Sequence, residues 1–172
     1  MTAEVGERGY AETSVKHVIA RAGMSRKSFY ELFDNKEDCF LQAYDDALAR
    51  IRALFGRGCD GEGPLAERIE RGLGAFLACC AAEPGFARMA VVEPLSAGPA
   101  ARDRRDAAIR AAARWLSPPD AVGASLLPEA VAGGIYGILS SRIARGEAAR
   151  LPALLDELMN AGLRQLAGKS VP

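Results

Sequence analysis

The chain holds 172 residues, 49% of them apolar and 26% charged, the balance of a soluble globular protein long enough for a compact core. Its 22 basic residues are matched by 22 acidic ones, which excludes wholesale coating of nucleic acid and leaves room for a contact built from one local patch. No apolar run approaches the roughly 20 residues that span a bilayer, and acids stand at the amino terminus where a basic leader would be, so no membrane partner and a cytoplasmic location are expected.

In chain order, the first strong signal runs from Thr13 to Tyr30, which contains Lys16, Arg21, Arg26 and Lys27 and no Asp or Glu. Ser14 is an N-cap, after which Val15, Val18, Ile19 and Ala22 take the spacing that puts apolar groups on one helix face. Gly23 stands where that helix must end and turn, and Met24 can plug the corner. Ser25 caps a second helix, on which Phe29, Leu32 and Phe33 are expected to share a buried face while Lys27, Ser28, Tyr30 and Glu31 spread over the rest. Two short helices joined by a glycine turn, with positive charge gathered on them, form the pattern of a helix-turn-helix DNA reader.

Gly9-Tyr10, Thr13-Ser14-Val15, Ile19-Ala20, Ala22-Gly23-Met24-Ser25, Phe29-Tyr30, Phe33 and Asn35-Lys36-Glu37 stand in the order and spacing of the amino-terminal domain of TetR-type transcriptional regulators, which this chain closely resembles over about residues 5 to 44. The resemblance implies that Arg26, Lys27 and Ser28 face base edges with Lys16 reaching in from the preceding helix, and that Ser14, Tyr30 and Lys36 mainly hold phosphates. The chemistry of these groups agrees, since Arg and Lys donate to guanine acceptors and hydroxyls and ammonium groups suit phosphate oxygens. The plainer alternative is ordinary solvated surface.

Two departures from the family pattern stand out. Where many relatives carry Tyr-x-His-Phe this chain has Tyr30-Glu31-Leu32-Phe33, so a phosphate-gripping residue becomes Leu32 and Glu31 adds a charge that DNA repels. Relatives also begin with a longer helix before Gly9-Tyr10, whereas Met1 to Arg8 stand here; the first helix is expected to be truncated, through a start assigned downstream or a genuine loss, with weaker DNA binding.

Asp34 or Asn35 caps a long helix from about Lys36, with Phe40, Ala43, Tyr44, Ala47, Leu48, Ile51, Leu54 and Phe55 at helical spacing. Gly56-Arg57-Gly58-Cys59-Asp60-Gly61-Glu62-Gly63 then reads as a flexible loop that breaks the chain, and Pro64 opens a helix through Leu65, Ile69, Leu73, Phe76, Leu77 and Cys80 to about Ala82. Pro84-Gly85 punctuates it. A short helix from Phe86 toward Leu95, a further one from Ala100 to Leu116, and Ser117-Pro118-Pro119 follow. Leu126 to about Arg145 is apolar on nearly every side, and Leu151, Leu154, Leu155, Leu158, Gly162 and Leu166 give a last helix its own stripe.

No segment alternates like a strand, so the expected fold is all-α: a helix-turn-helix three-helix domain over residues 1–40 and a helical ligand-binding and dimerisation domain over 41–172. Gly133-Gly134-Ile135-Tyr136, Arg145-Gly146-Glu147 and Leu151-Pro152 resemble the family's last two helices. The resemblance implies a homodimer interface there, carried by Val131, Ile135, Ile138, Arg142, Leu154, Leu155 and Leu158, or else simple closure of the subunit's own core. A two-fold protein sets two reading helices about one DNA turn, roughly 34 Å, or a multiple of it apart. By the same resemblance the middle helices form a pocket for an unknown small-molecule effector that tilts the long connecting helix and releases operator DNA. Phe76, Phe86, Met89, Trp115 and Tyr136 are the bulky candidates to line it, with plain core as the alternative reading.

Cys39, Cys59, Cys79 and Cys80 form no C-x-x-C pair and have no cluster of histidines, so no metal and no cofactor are expected, and the thiols read as small apolar fillers. Cys59 is the exception, expected in an exposed loop and open to oxidation. His17 is the only histidine and lies on the first reader helix, and Glu93 and Glu129 are two acids among many, so no enzyme is expected. The reading is a DNA-binding transcriptional regulator, a repressor released by a small apolar ligand. Its rival is a ligand-binding dimer of the same fold that has lost operator binding.

Overall fold

The computed structural model describes residues 1–59, 62–117 and 126–163. Asp60, Gly61, Pro118, Pro119 and Leu166, each part of an expectation above, lie outside the described residues. The helices are α1 (Thr2–Arg8), α2 (Val15–Ala22), α3 (Arg26–Leu32), α4 (Lys36–Cys59), α5 (Leu65–Ala82), α6 (Pro84–Ala87), α7 (Pro99–Trp115), α8 (Leu127–Ala144) and α9 (Leu155–Leu158). Among the described residues there is no strand, and the all-α expectation holds. No single described helix is long and apolar enough to cross a membrane.

Local chemistry sets the start of the chain. Ser14 Oγ accepts the His17 N–H at 3.3 Å while His17 Nδ1 accepts the Ser14 N–H at 3.3 Å, a reciprocal cap with histidine where Glu or Gln usually stands. Gly23 adopts φ 63° and ψ 27°, the left-handed geometry that closes α2 and frees the chain to turn. Ser25 Oγ accepts the Ser28 N–H at 3.0 Å to start α3, and Asn35 Oδ1 accepts the Asp38 N–H at 2.9 Å to start α4. Val18, Phe29 and Cys39 form a small buried cluster with Val15, Ile19, Met24 and Phe33 packed against it.

Leu32 does not share that buried face; it is 62% exposed. The physical reason is that α3 ends at Leu32 and Phe33 is extended, with φ −138° and ψ 134°, so the chain direction changes between the two residues. Phe33 turns inward, its ring 5.1 Å from that of Phe29, and Leu32 is left in solvent.

The larger cluster joins α1, α4, α5, α7, α8 and the carboxy-terminal turns around Phe40, Tyr44, Leu77, Met89, Leu151 and Met159, all nearly fully buried. Each such side chain contributes about 1.5–3 kcal/mol by leaving water. The segment after α5 departs from the single short helix expected from Phe86 to Leu95. It runs as α6, a π-helical turn at Arg88–Val92 and a 3₁₀ turn at Glu93–Leu95. Pro94 has no N–H to donate and its ring crowds the carbonyl four residues before it, which interrupts the regular α-helical ladder there. The last helix is likewise broken: Ala148–Leu154 is 3₁₀ around Pro152, followed by α9 and a π-helical turn at Met159–Leu163.

The glycine-rich stretch after Phe55 is not a loop up to Cys59, and Cys59 is not exposed. α4 continues through it, and the Cys59 thiol is buried at 4% exposure. Glycine serves close approach here: a Cβ built on Gly58 would lie 2.4 Å from the Gly72 Cα, and one built on Gly72 would lie 3.1 Å from the Cys59 sulfur. Two helix backbones therefore meet at Gly58 and Gly72. Cys39 and Cys80 are also buried and Cys79 is half-buried, all as free thiols.

Gly58→Ala forces α4 and α5 apart and is expected to cost about 1–3 kcal/mol, lowering Tm by roughly 2–4 °C for each of those kcal/mol. Gly133→Ala, whose added Cβ would meet nothing within 4 Å, is expected to be neutral or stabilising by up to about 1 kcal/mol. Thermal melts of the two variants beside the wild type check both.

Candidate nucleic-acid interface and ligand cavity

On the α2–α3 pair, Lys16, Arg26, Lys27 and Tyr30 are exposed and Ser14 and Ser28 half-buried. Arg26 stacks over the Tyr30 ring at 5.8 Å, and Tyr30 packs edge-on to the buried Phe29 at 5.3 Å. The Lys27 ammonium stands 3.8 Å from Glu31, a weak exposed pair one helical turn apart. The Ser25 and Ser28 hydroxyls share a hydrogen bond of 2.9 Å.

Sequence counting overstates the free charge of this surface. Arg21 is consumed by α1: its two terminal nitrogens donate to Glu7 at 2.7 and 2.6 Å and its Nε to the buried Glu4. Glu4 also accepts Arg8 Nε at 2.7 Å, and that hydrogen bond holds its carboxyl below the usual carboxylate range. Lys36 is likewise engaged, its Nζ donating to the Tyr10 carbonyl at 3.0 Å and lying 4.1 Å from the centre of the Tyr10 ring. Burial pushes the Tyr10 phenol up from its ordinary value.

The turn between α1 and α2 is clamped to the rest of the molecule by a group that sequence reading passed over. Glu93, only 5% exposed, accepts the Tyr10 N–H at 2.7 Å on one carboxylate oxygen and Arg88 Nε at 2.8 Å on the other. A signal was present: an acid set in Met89-Ala90-Val91-Val92-Glu93-Pro94-Leu95, a run otherwise apolar, must find partners if buried. Beside it α1 and α6 touch backbone to backbone, since a Cβ on Gly6 would lie 2.5 Å from the Gly85 oxygen. Glu129, the other acid singled out, is exposed on α8.

A cavity with about 890 Å³ of empty space, counting its open mouth, lies among α4, α5, α7, α8 and the π-helical turn. Its walls include Leu48, Ile51, Phe55, Ile69, Ile109 and Leu139. Of the bulky candidates, Phe76, Trp115 and Tyr136 line it, and Trp115 stacks on Phe55 at 5.1 Å. Phe86 and Met89 do not. Phe86 sits on α6 with the Arg50 guanidinium 4.5 Å over its ring, and Met89 is wholly buried in the core, immediately before the wall residues Ala90 and Val91. The Tyr136 hydroxyl donates to the Val91 carbonyl, and burial pushes the Tyr136 phenol up. Sequence reading also missed Arg105, the one formal charge among the described lining residues.

On α8, Gly134, Gly137 and Ile138 are exposed, Ile138 at 45%, and added Cβ atoms at Gly134 and Gly137 would meet nothing within 4 Å. Val131, Ile135, Leu154 and Leu155 are half-buried against the subunit's own core, and Leu158 is buried in it. Arg142 pairs with Glu147 at 2.9 Å.

Residues 2–43 match the family model for bacterial regulatory proteins, tetR family. Among solved structures, the fatty acid degradation regulator FadR from Bacillus halodurans superposes with a TM-score of 0.78 at 15% identity, covering 99% of this chain and 92% of that one. FadR from Bacillus subtilis in complex with stearoyl-CoA gives 0.78 at 15%, covering 97% and 94%. A TetR-like transcriptional regulator from Rhodococcus sp. RHA1 gives 0.69 at 22%, covering 98% and 92%. The sequence has no significant match among curated proteins.

Glu93→Ala leaves the Tyr10 N–H without its acceptor and is expected to cost about 1–3 kcal/mol in chemical denaturation, whereas Glu129→Ala on the surface changes stability by less than about 0.5 kcal/mol.

Proposed function

From a chain whose amino-terminal domain is that of the TetR family and whose whole length carries the TetR-type fold, we infer a homodimeric, ligand-released repressor that reads operator DNA with α3. The observation that carries this reading is the α2–α3 pair. Its outer side chains Lys16, Arg26, Lys27 and Tyr30 are exposed while Phe29 behind them is fully buried. Arg26, Lys27 and Ser28 serve as donors to base edges, Lys16 reaches in beside them, and Tyr30 holds a phosphate. Ser14 and Lys36 act at the margin. The Ser14 hydroxyl keeps a proton to donate after accepting from His17, and Lys36 keeps two after serving Tyr10.

The cavity receives a small apolar effector; the stearoyl-CoA in the Bacillus subtilis FadR complex supports a ligand bearing a long apolar chain in this fold. Its influence reaches the DNA-reading helices along one short segment. Ala90 and Val91 are cavity wall, Tyr136 donates to the Val91 carbonyl, and Glu93, braced by Arg88 from the other side of these two residues, holds the Tyr10 N–H. A ligand that displaces this wall shifts the Glu93 clamp together with α4, and it releases DNA only to the extent that it prefers the displaced arrangement. The second subunit docks on the exposed Gly134, Gly137 and Ile138 face of α8, where missing side chains let two helices approach closely, with Val131, Ile135, Arg142, Leu154, Leu155 and Leu158 around or behind it.

A second reading, a ligand-binding dimer without operator binding, is favoured by the pairing of Arg21 with Glu4 and Glu7 and of Lys27 with Glu31, which reduces the charge available to phosphate. Titration of the protein with DNA from upstream of its own gene, at two salt concentrations, decides between them. Under the repressor reading, Arg26→Ala costs about 1–3 kcal/mol of affinity and relaxes base preference, and the Lys27→Ala, Tyr30→Ala double variant abolishes the shift. Full affinity in the double variant refutes the site assignment, and absence of binding by wild-type protein at low salt favours the second reading. In sedimentation equilibrium, Ile138→Glu is expected to weaken dimerisation on the order of 100-fold or more, with the helical content of the subunit unchanged.

A further inference from the structure

The helix α7 carries five charged residues in succession, Arg102-Asp103-Arg104-Arg105-Asp106. Four of them have reasons to be at the surface, and Arg104 pairs there with Asp45 of α4 at 2.9 Å. Arg105 does not. Its position follows Ala101 by four residues and precedes Ala108, Ile109 and Ala112 by three, four and seven, so it occupies the inward stripe of the helix, and its side chain, 20% exposed, enters the cavity. A cation on an apolar stripe costs free energy unless something anionic meets it.

Asp106 meets part of it. The Arg105 Nε and one terminal nitrogen both donate to a single Asp106 oxygen, the Nε at 2.8 Å, and that carboxylate is 44% exposed. One edge of the guanidinium is thereby engaged from the rim by a half-exposed carboxylate, and its other hydrogen-bonding neighbour is the uncharged Tyr136 hydroxyl. The guanidinium lies 5.7 Å over the Tyr136 ring, and Tyr44, another lining residue, has its phenol pushed up by burial, so both rings present neutral hydroxyls and no competing anion. The remaining lining is almost wholly aliphatic and aromatic carbon.

Resting on the ligand cavity proposed above, we propose that its effector is an apolar carboxylic acid, whose carboxylate pairs with Arg105 and whose hydrocarbon body fills the space between Phe55, Phe76, Trp115 and Leu139. A charge-assisted contact from a planar guanidinium to a carboxylate, in a site walled off from most water, separates such an acid from an equally greasy alcohol or ester. Arg105 is thus the residue that sets the chemical class of the ligand, while the apolar wall sets its length and shape.

The chain's single tryptophan, Trp115, lines the cavity and reports binding by its fluorescence. The full-length protein is titrated with saturated straight-chain acids from octanoic to tetradecanoic and with the primary alcohols and methyl esters of the same chains. The acid is expected to bind about tenfold or more tightly than its alcohol and ester. Arg105→Gln is expected to bring the acid down to the level of the alcohol while alcohol binding is unchanged, which also shows that the variant is folded, and Arg105→Lys is expected to retain a preference for the acid. Equal binding of acid and alcohol by the wild type, or an acid preference that survives Arg105→Gln, overturns the assignment of Arg105 and leaves the cavity as a site for neutral ligands. If no chain of any head group perturbs Trp115, the ligand-cavity reading falls with it.

Discussion

The contact on which the rest of this structure depends is the buried carboxylate of Glu93 closed over the Tyr10 amide. α1 and α2 are short, seven and eight residues, and helices of that length are marginal by themselves. They keep their place because the turn between them is bonded to the body. Tyr10 gives its N–H to Glu93 and its carbonyl to Lys36, and its ring packs edge-on to Phe40 at 5.0 Å. Gly6 and Gly85 remove the side chains that would hold the two backbones apart. The orientation of α3 relative to the core is therefore set by a few directional contacts together with the small cluster of Val18, Phe29 and Cys39.

Such an arrangement suits the ligand-released switch proposed above. A wide hydrophobic interface yields gradually, whereas a hydrogen-bonded clamp has discrete made and unmade states whose balance a modest differential binding energy can tip. The segment that carries Glu93 is also the segment whose irregular turns form a wall of the cavity, so no long relay is required between the two.

What the sequence made legible was local. The Ser14 and Ser25 caps, the Gly23 turn and the stripe of Val15, Val18 and Ile19 each follow from a few neighbouring residues, and the all-α fold follows from their sum. What it hid was tertiary. Gly58 looked like a helix breaker because glycine is one in isolation, yet contact with Gly72 makes its missing side chain an asset and draws Cys59 into the core. Leu32 looked buried because helical periodicity was carried one residue past the end of α3. Arg21 and Lys36 looked like free cations because their partners, Glu4, Glu7 and Tyr10, are supplied by other turns of the chain. Arg105 was concealed among surface-like neighbours, although its register against Ala101 and Ala108 marked it as inward.

Along the strip from Arg88 to Glu93, the side chains that line the cavity and the one that holds the turn between α1 and α2 belong to different residues, Ala90 and Val91 for one task, Glu93 braced by Arg88 for the other. Under the proposed function, ligand contact and transmission are in this way carried by separate side chains on the same few ångströms of backbone. If the proposed function holds, small wall residues can be exchanged for new signals while the Glu93 clamp stays as it is.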